Sequence, residues 1–354
     1  MANHTRRIVT GFLTLIAALT ATTALFAGRT VIVTPDGTPD AAGTAEAPVS
    51  IAAAIDGAKP GDTIELRPGT YKLTPTLLAQ AKGTEAEPIV VRGDPTSRPV
   101  LDFSAQSFDG KNRGILLSGD YWTLSGIELT SAGDNGIHVS GHHNTIANCV
   151  VHDCQDTGIL VFKPASHTLV TDCDSYRNID RPTRGQNADG FGCKFEVGEG
   201  NIFRNCRAWE NADDGWDLWK APYPVRIENC VAMRNGINLW NVEKWEGNGN
   251  GFKLGGAFIP AQHTVVNCVA IDQWNHGFDL NNNTSGQTLE NCTAIRCGMG
   301  FRLDLVPRDG THHVLKRCLC LDSKNFVVEG SERMDTSLSQ LATTRPSTQP
   351  ATQR

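Results

Sequence analysis

A glycine followed by an apolar residue recurs along the chain and limits the folds that it can adopt. These pairs begin at Gly136, Gly158, Gly190, Gly215, Gly251, Gly277 and Gly300. Most are 22 to 26 residues apart, and an Asn-Cys pair often lies between two of them, as at Asn205-Cys206. A repeat of this length, made of short β-rich runs without a long helix, is typical of stacked coils. The sequence therefore predicts an all-β fold, a right-handed parallel β-helix.

The residues after each marker glycine divide between the two faces of a strand. Side chains in a strand alternate in direction, and the first and third residues after the glycine are apolar in every repeat, as in Phe252 and Leu254. These positions should point inward. The second position should point outward, and from Gly192 onward this row is mostly polar or charged. It includes Asp217, Lys253, Asp279 and Arg302.

The two ends of the chain differ from the repeats. Arg6 and Arg7 precede an apolar stretch, so residues 1–27 are predicted to be a secretory signal peptide. An uncleaved membrane anchor is the alternative. We expect a secreted protein, extracellular or periplasmic, without stable membrane insertion. Residues 28–330 should form the β-helix, with a short helix near 49–58 capping its open N-terminal end. Residues 331–354 are rich in Ser, Thr, Pro and Gln and are predicted to be a disordered tail.

The cysteine count and the net charge indicate the state of the thiols and the class of partner. Eleven cysteines cannot pair completely, and most occupy one position of the repeat, so we expect buried thiols rather than disulfides. A net charge of -6 without a basic run argues against a nucleic-acid partner. No feature indicates an oligomer, and a monomer is expected.

Four aspartates converge in this register. Asp189 and Asp214 each precede a marker glycine in successive coils, which stack about 4.8 Å apart. Asp213 is adjacent, and Asp217 projects from the same strand. Carboxylates this close repel each other unless a cation joins them, and Ca²⁺ accepts six to eight oxygen ligands in flexible geometry. We predict a Ca²⁺ site, with a solvated acidic edge as the alternative.

Lys253 lies one coil beyond Asp217 in the same outward row. A lysine that forms only a salt bridge is the alternative to a functional one. A divalent ion and the surface of the sheet would both lower the pKa of this amine, which would then serve as a general base. A cation beside an amine base suits proton abstraction next to a carboxylate. In a uronic acid polymer this abstraction leads to β-elimination.

Several segments resemble the pectate lyases of polysaccharide lyase family 9. They are Asn187–Phe191, Asn211–Asp217, Asn248–Gly256 and Gly277–Asp279, followed by the asparagines at 281–283. The resemblance implies a right-handed β-helix that acts on polygalacturonate. It also implies that Asp189, Asp213, Asp214 and Asp217 bind Ca²⁺ and that Lys253 is the Brønsted base.

Lys194, Arg302, Asp279 and Asn281 are candidates to bind the acidic polysaccharide, because they lie on the same face. Three other functions stay open. A glycoside hydrolase would need carboxylates at set separations. A non-catalytic carbohydrate-binding or surface β-helix could keep a structural Ca²⁺, since the fold alone does not define function. A uronate C5-epimerase would begin with the same proton abstraction.

Overall fold

The chain winds as successive short parallel strands, each hydrogen-bonded to the strands one turn before and after it. A computed structural model describes residues 28–323, 326–329 and 331–337. Within these ranges no helix is long and apolar enough to cross a membrane. The predicted signal peptide at 1–27 lies outside the described residues. The prediction of a right-handed parallel β-helix is confirmed, in keeping with the handedness of parallel crossovers.

Two of the three strand columns belong to one 21-stranded sheet. Its strands are β1 (Thr30–Thr38), β2 (Thr63–Leu66), β3 (Thr70–Lys72), β5 (Ile89–Gly93), β6 (Val100–Asp102), β8 (Trp122–Ser125), β9 (Glu128–Thr130), β11 (Thr145–Ala147), β12 (Val150–His152), β14 (Leu169–Thr171), β15 (Asp174–Tyr176), β17 (Ile202–Arg204), β18 (Arg207–Trp209), β20 (Arg226–Glu228), β21 (Val231–Met233), β23 (Thr264–Val266), β24 (Val269–Ile271), β26 (Thr288–Glu290), β27 (Thr293–Ile295), β29 (His313–Leu321) and β31 (Ser331–Ser337).

The third column is a ten-stranded sheet, called here the marker sheet because seven of its strands contain or directly follow the marker glycines. Its strands are β4 (Leu77–Ala79), β7 (Ile115–Leu117), β10 (Ile137–Val139), β13 (Ile159–Phe162), β16 (Phe191–Lys194), β19 (Trp216–Asp217), β22 (Phe252–Lys253), β25 (His276–Asp279), β28 (Met299–Leu303) and β30 (Phe326–Val328). The predicted register is confirmed, since Phe252 pairs with Trp216 on one side and with Phe278 on the other.

The N-terminal end of the stack is covered by one short helix, α1 (Ile51–Asp56). Ser50 caps it, because its side chain accepts a hydrogen bond from the backbone N–H of Ala53. Ile51, Ala54 and Ile55 are buried against the first coils. The helix therefore shields apolar residues at an end where no further coil stacks, as the sequence predicts.

The core lies inside the coils and consists of side chains stacked in rows. Five aromatic rings form one row, with centroids 4.8 to 4.9 Å apart and no solvent exposure. They are Phe191, Trp216, Phe252, Phe278 and Phe301. All eleven cysteines are buried and free, which confirms the prediction of thiols acting as small apolar residues. This uniform filling fixes the height of each coil and so the spacing of the outer side chains.

A buried ladder of amide side chains supports the turns that lead into the marker sheet. Asn178 donates to Asn211 at 2.8 Å, Asn211 donates to Asn235 at 3.0 Å, and Asn235 donates to Gln273 at 3.2 Å. Buried amides need such partners because each unpaired polar group is costly. The ladder therefore fixes the turn just before Asp214, and Asn178 also donates to the Asp189 carbonyl at 3.4 Å.

The structure corrects the start of the predicted disordered tail. Ser331–Ser337 forms β31, which pairs in parallel with β29. The last coil of a solenoid leaves the backbone groups of an edge strand unpaired, and a following segment of almost any composition can satisfy them. The remainder of the predicted tail, residues 338–354, lies outside the described residues.

Candidate metal and base site

The outward row of the marker sheet carries the candidate site. Gly192 pairs with Asp217, Asp217 with Lys253, and Lys253 with Asp279, so these residues lie side by side on four successive strands. Although they point away from the core, Asp217 is only 3% exposed and Lys253 only 9%. The charged groups interact in an environment that is largely shielded from water, where charge interactions are strong.

Three aspartates meet beside this row. Asp189, Asp214 and Asp217 each offer one carboxylate oxygen, and these oxygens all lie within 4.8 Å of one another. The coil register brings Asp189 and Asp214 together, and the Asp214 backbone N–H donates to Asp189 Oδ1 at 3.2 Å. The structure therefore assembles three of the four aspartates that were predicted to bind Ca²⁺.

Asp213 is placed differently from the other three aspartates. Its Oδ2 accepts a hydrogen bond of 2.9 Å from the Asn187 backbone, and its Oδ1 accepts bonds of 2.5 and 2.9 Å from the backbone and side chain of Asn248. Its charge still acts on the site, because it raises the pKa of Asp214 in addition to the larger effect of burial. A direct role of Asp213 as a ligand stays a prediction.

Lys253 contacts this cluster directly. Its Nζ lies 3.1 Å from Asp214 Oδ2 and 3.6 Å from Asp217 Oδ2. Burial lowers the pKa of this amine, but the carboxylates of Asp214 and Asp217 more than offset that effect and raise the pKa well above its usual value. With these carboxylates alone around it, Lys253 carries a proton. The lowered pKa expected from the sequence therefore depends on positive charge added to the cluster.

Lys194 also reaches into the cluster. Its Nζ lies 2.7 Å from Asp189 Oδ2 and 3.1 Å from Asp217 Oδ2, and the side chain is 6% exposed. The sequence predicted a residue that binds the carboxylate of a substrate, and that role stays a prediction. In the structure both hydrogen bonds of the ammonium go to aspartates of the site.

The aspartates differ in pKa because their surroundings differ. Burial raises the pKa of Asp189 to about 8, even though the Lys194 charge opposes this change. Burial likewise raises the pKa of Asp214 well above its usual value. For Asp217 the charges of Lys253 and Lys194 outweigh burial and hold its pKa below the usual value. Asp217 is therefore the aspartate best stabilised as a carboxylate.

The residues present fit a divalent cation with oxygen ligands. Ca²⁺ binds oxygen at about 2.3 to 2.6 Å, so two ligands on opposite sides of one ion lie roughly 5 Å apart. The three aspartate oxygens meet that limit. Asp214 Oδ2 is buried and accepts no hydrogen bond within the described part of the chain. Lys253 Nζ, 3.1 Å away, makes a charge contact with this oxygen but no hydrogen bond. A cation would satisfy the buried oxygen.

The predicted substrate-binding residues cluster one and two coils further on. Asp279 is 3% exposed, and its Oδ1 lies 3.5 Å from Arg302 Nη1. Burial raises the pKa of Asp279 to about 6, while the Arg302 charge opposes the shift. The backbone N–H of Asn281 donates to Asp279, and its side chain donates to the Gly255 carbonyl. Arg302 is more accessible than Asp279, with its side chain 35% exposed.

Sequence reasoning assigned no role to three residues that hold the site together. Thr157 Oγ1 donates to Asp189 Oδ2 at 3.1 Å, and Asn250 donates to Asp214 Oδ1 through both its backbone and its side chain. His276 Nδ1 lies 2.8 Å from Asn250 Oδ1. All three immediately precede a marker glycine, as do Asp189 and Asp214. Reading that position through every coil would have found them.

The chain resembles one known family, several named sequences and several solved structures. The family model described as "Pel9A-like, right handed beta helix region" matches residues 31–313. "Pectate lyase L" of Dickeya chrysanthemi is 39% identical over 308 residues, covering 84% of this chain and 72% of the relative. "Pectate lyase PEL9" of Emericella nidulans is 36% identical over 307 residues, covering 77% of this chain and 74% of the relative.

Solved structures agree with these sequence matches. The crystal structure of pectate lyase Pel9A superposes with a TM-score of 0.83 at 36% identity, covering 87% of this chain and 79% of that chain. A structure titled "Rhamnogalacturonan lyase" gives a TM-score of 0.71 at 24% identity, covering 88% of this chain and 87% of that chain. The second likeness supports the fold alone.

Proposed function

We propose that this chain, which belongs to the Pel9A-like family of right-handed β-helix proteins, cleaves polygalacturonate by Ca²⁺-dependent β-elimination. Its relatives are named pectate lyases, and the chain is an enzyme of that type. The observation that carries the finer proposal is the position of Lys253, whose Nζ is 3.1 Å from Asp214 in a cluster of three buried aspartates.

The charges of the site support a divalent ion. Four aspartates, at 189, 213, 214 and 217, face two lysines, at 194 and 253, which leaves two negative charges when all six groups are ionised. A buried cluster with uncompensated charge is costly. One Ca²⁺ would neutralise it. The bound ion would supply an electrophilic contact for the carboxylate of a uronate unit and stabilise negative charge that develops there.

Lys253 is proposed to accept the proton from C5 of that unit. The electron pair of the broken C–H bond forms a C4–C5 double bond as the bond from C4 to the glycosidic oxygen breaks. The leaving oxygen takes a proton from water. Lys253 has to lose its own proton first, and added positive charge beside Asp214 and Asp217 would remove the effect that raises its pKa.

Arg302, Asp279 and Asn281 are proposed to bind the neighbouring part of the polymer. Arg302 pairs with Asp279 and Asp304, yet its side chain is 35% exposed. A guanidinium with free N–H groups matches the geometry of a uronate carboxylate. Asp279 and Asn281 would position that arginine and the chain beside it. We also propose that the protein is secreted after removal of residues 1–27, which suits a polymeric substrate.

The proposal is tested by incubating the purified protein with polygalacturonate and following the ultraviolet absorbance of the unsaturated product. In the presence of Ca²⁺ we expect the absorbance to rise. The rise should stop when a chelator is added and resume when Ca²⁺ is restored. Reducing sugar without unsaturated product would indicate a hydrolase. A change of uronate configuration at constant chain length would indicate an epimerase. No change with polygalacturonate, alginate or rhamnogalacturonan would leave a carbohydrate-binding β-helix and contradict the lyase proposal.

A further inference from the structure

The ammonium of Lys194 lies within the group of oxygens that would hold the cation. It is 2.7 Å from Asp189 Oδ2 and 3.1 Å from Asp217 Oδ2, and Asp217 Oδ2 is also 3.6 Å from Lys253. Asp189 and Asp217 therefore already have a positive partner in Lys194. The third aspartate, Asp214, has Lys253 as its positive partner instead, with Nζ 3.1 Å from Oδ2.

The local sequence allows Lys194 to take this position. Residues 192 and 194 point to the same face of β16, and residue 192 is glycine. A Cβ added at Gly192 would lie 3.4 Å from Lys194 Cε and only 2.6 Å from a methyl group of Leu160. The Leu160 methyl group thus takes most of the space that a side chain at Gly192 would need, and the aliphatic part of Lys194 lies at the edge of that space as it reaches Asp189.

An ammonium and a divalent cation cannot both bind these two oxygens closely. An ion bound to Asp189 and Asp217 would come within a few ångströms of the Lys194 Nζ, and like charges repel strongly in a site shielded from water. Lysine has a long, flexible side chain whose ammonium can move without moving the backbone. The ion therefore competes with Lys194.

A second carboxylate is available to Lys194. Asp156 immediately precedes Thr157, whose hydroxyl bonds Asp189, and Asp156 lies in the preceding coil. Burial raises the pKa of Asp156 to about 7, while the charge of Lys194 acts in the opposite direction, so the two groups already interact. Asp156 and Lys194 have no mutual salt bridge in the described structure, whereas Lys194 pairs with Asp189 and Asp217.

We propose that Lys194 is an internal counter-ion that occupies the cation site when no metal is bound, and that Ca²⁺ displaces it from Asp189 and Asp217 towards Asp156. The inference rests on the proposed Ca²⁺ site and adds a determinant of its affinity. Lys194 lowers the uncompensated negative charge of the ion-free cluster, and in doing so it weakens the binding of the ion.

The two partners of this exchange have opposite effects on affinity. Lys194→Met removes the competitor, so Ca²⁺ should bind more tightly, by about 5- to 150-fold, the usual range of coupling between two binding events. Asp156→Asn removes the receiving carboxylate, so Ca²⁺ should bind more weakly than to the wild type. Lys163→Met is the matched control, because Lys163 is exposed and pairs with Glu196 outside the site. The Ca²⁺ affinity of Lys163→Met should equal that of the wild type.

The measurement is isothermal titration of the purified, chelator-treated protein with CaCl₂, supported by thermal unfolding with and without Ca²⁺. In chelator, Lys194→Met should have a lower Tm than the wild type. Adding Ca²⁺ should raise its Tm by more than it raises the Tm of the wild type. A residue with only a structural role would lower the Tm in both conditions and would not tighten binding. If Lys194→Met does not fold, the weaker binding expected of Asp156→Asn still tests the exchange.

The outcomes separate this inference from the proposed function. If the wild type binds Ca²⁺ but Lys194→Met binds equally or more weakly, the counter-ion role is overturned and the Ca²⁺ site stands. If Asp156→Asn binds as tightly as the wild type, the movement towards Asp156 is overturned. If the wild type binds no Ca²⁺ at all, both the inference and the metal part of the proposed function fail.

Discussion

The first and second halves of the marker sheet have the same interior and different outer surfaces. In the early coils the outward row runs through Leu78, Leu116, His138 and Leu160, so it is mostly apolar, and Leu78 is 45% exposed. In the later coils the same row contains Asp217 and Lys253, both largely buried. The inward positions are apolar and fully buried in both halves, as shown by Ile137 and Phe252.

This difference separates the requirements of the fold from those of the site. Inward residues have to fill a narrow space of constant height, so every coil uses similar side chains. Outward residues are free of that requirement. The fold supplies a fixed spacing between strands, and the outer row uses this spacing to bring opposite charges together. Substitutions can test each half of this interpretation separately.

The largest expected effect is on stability, from the inward row. Phe252→Ala should lower the free energy of unfolding by about 3 to 5 kcal/mol, because it opens a cavity between two stacked rings. Trp216 and Phe278 lie on either side at 4.8 and 4.9 Å. Chemical unfolding at constant Ca²⁺ measures the change. Leu78→Ala, in the outward row of an early coil, is the control and should cost well under 1 kcal/mol.

The next effect is on cation binding, from the outer cluster. Asp214→Asn keeps the shape of the side chain but removes a charge and a ligand oxygen. Losing an outer-shell partner of a metal ligand costs about 10- to 100-fold in affinity, so losing a ligand should cost at least about 100-fold. Titration with Ca²⁺ gives the value. Asp40→Asn, at an exposed position, should bind as the wild type does. Unchanged binding in Asp214→Asn would place the ion elsewhere.

The third prediction concerns pH. Asp189 has its pKa raised by burial from 3.8 to about 8, so between about pH 4 and 8 the folded protein holds a proton that the unfolded chain has lost. Stability falls with rising pH wherever the folded state binds more protons. In chelator, the Tm should therefore fall as the pH rises towards 8. The increase in Tm on adding Ca²⁺ should become larger over the same pH range. Asp189→Asn should flatten this dependence, and a profile identical to the wild type would contradict the assignment.

The smallest effect is expected at the edge of the site. Arg302→Gln removes a charge that is 35% exposed and should raise KM for polygalacturonate by roughly tenfold, as expected for the loss of one charged hydrogen bond, with little change in kcat. Steady-state kinetics test this. Arg296→Gln is a control, because Arg296 pairs with Asp272 next to the 21-stranded sheet. A fall in kcat with unchanged KM would give Arg302 a role in the chemical step.

Most of the fold could be predicted from the sequence because the repeat fixes it. Each marker glycine sets the register of its coil, so the directions of Phe252 and Lys253 followed from alternation along a strand. The free thiols followed from their repeated position. The strand at Ser331–Ser337 could not be predicted, because it forms to pair the exposed edge of β29 and not because of its own composition.

The site could be predicted only in part, for a physical reason. Register shows which side chains are neighbours but not where a long side chain ends. It brought Asp189, Asp214 and Asp217 together, yet gave no sign that Lys194 turns back across Gly192 to reach them. It also could not show that the Asp213 oxygens are taken by Asn187 and Asn248.

The most direct test of the account is the rate of unsaturated product formation from polygalacturonate by Lys253→Ala in saturating Ca²⁺. General base catalysis contributes about 10²- to 10⁴-fold, so the account predicts a loss of that size in kcat. Ca²⁺ binding should be retained, since Lys253 contributes no ligand, and Lys244→Ala, at an exposed position, should keep full activity. A Lys253→Ala variant that binds Ca²⁺ and forms product at the wild-type rate would contradict the assignment of Lys253 as the base.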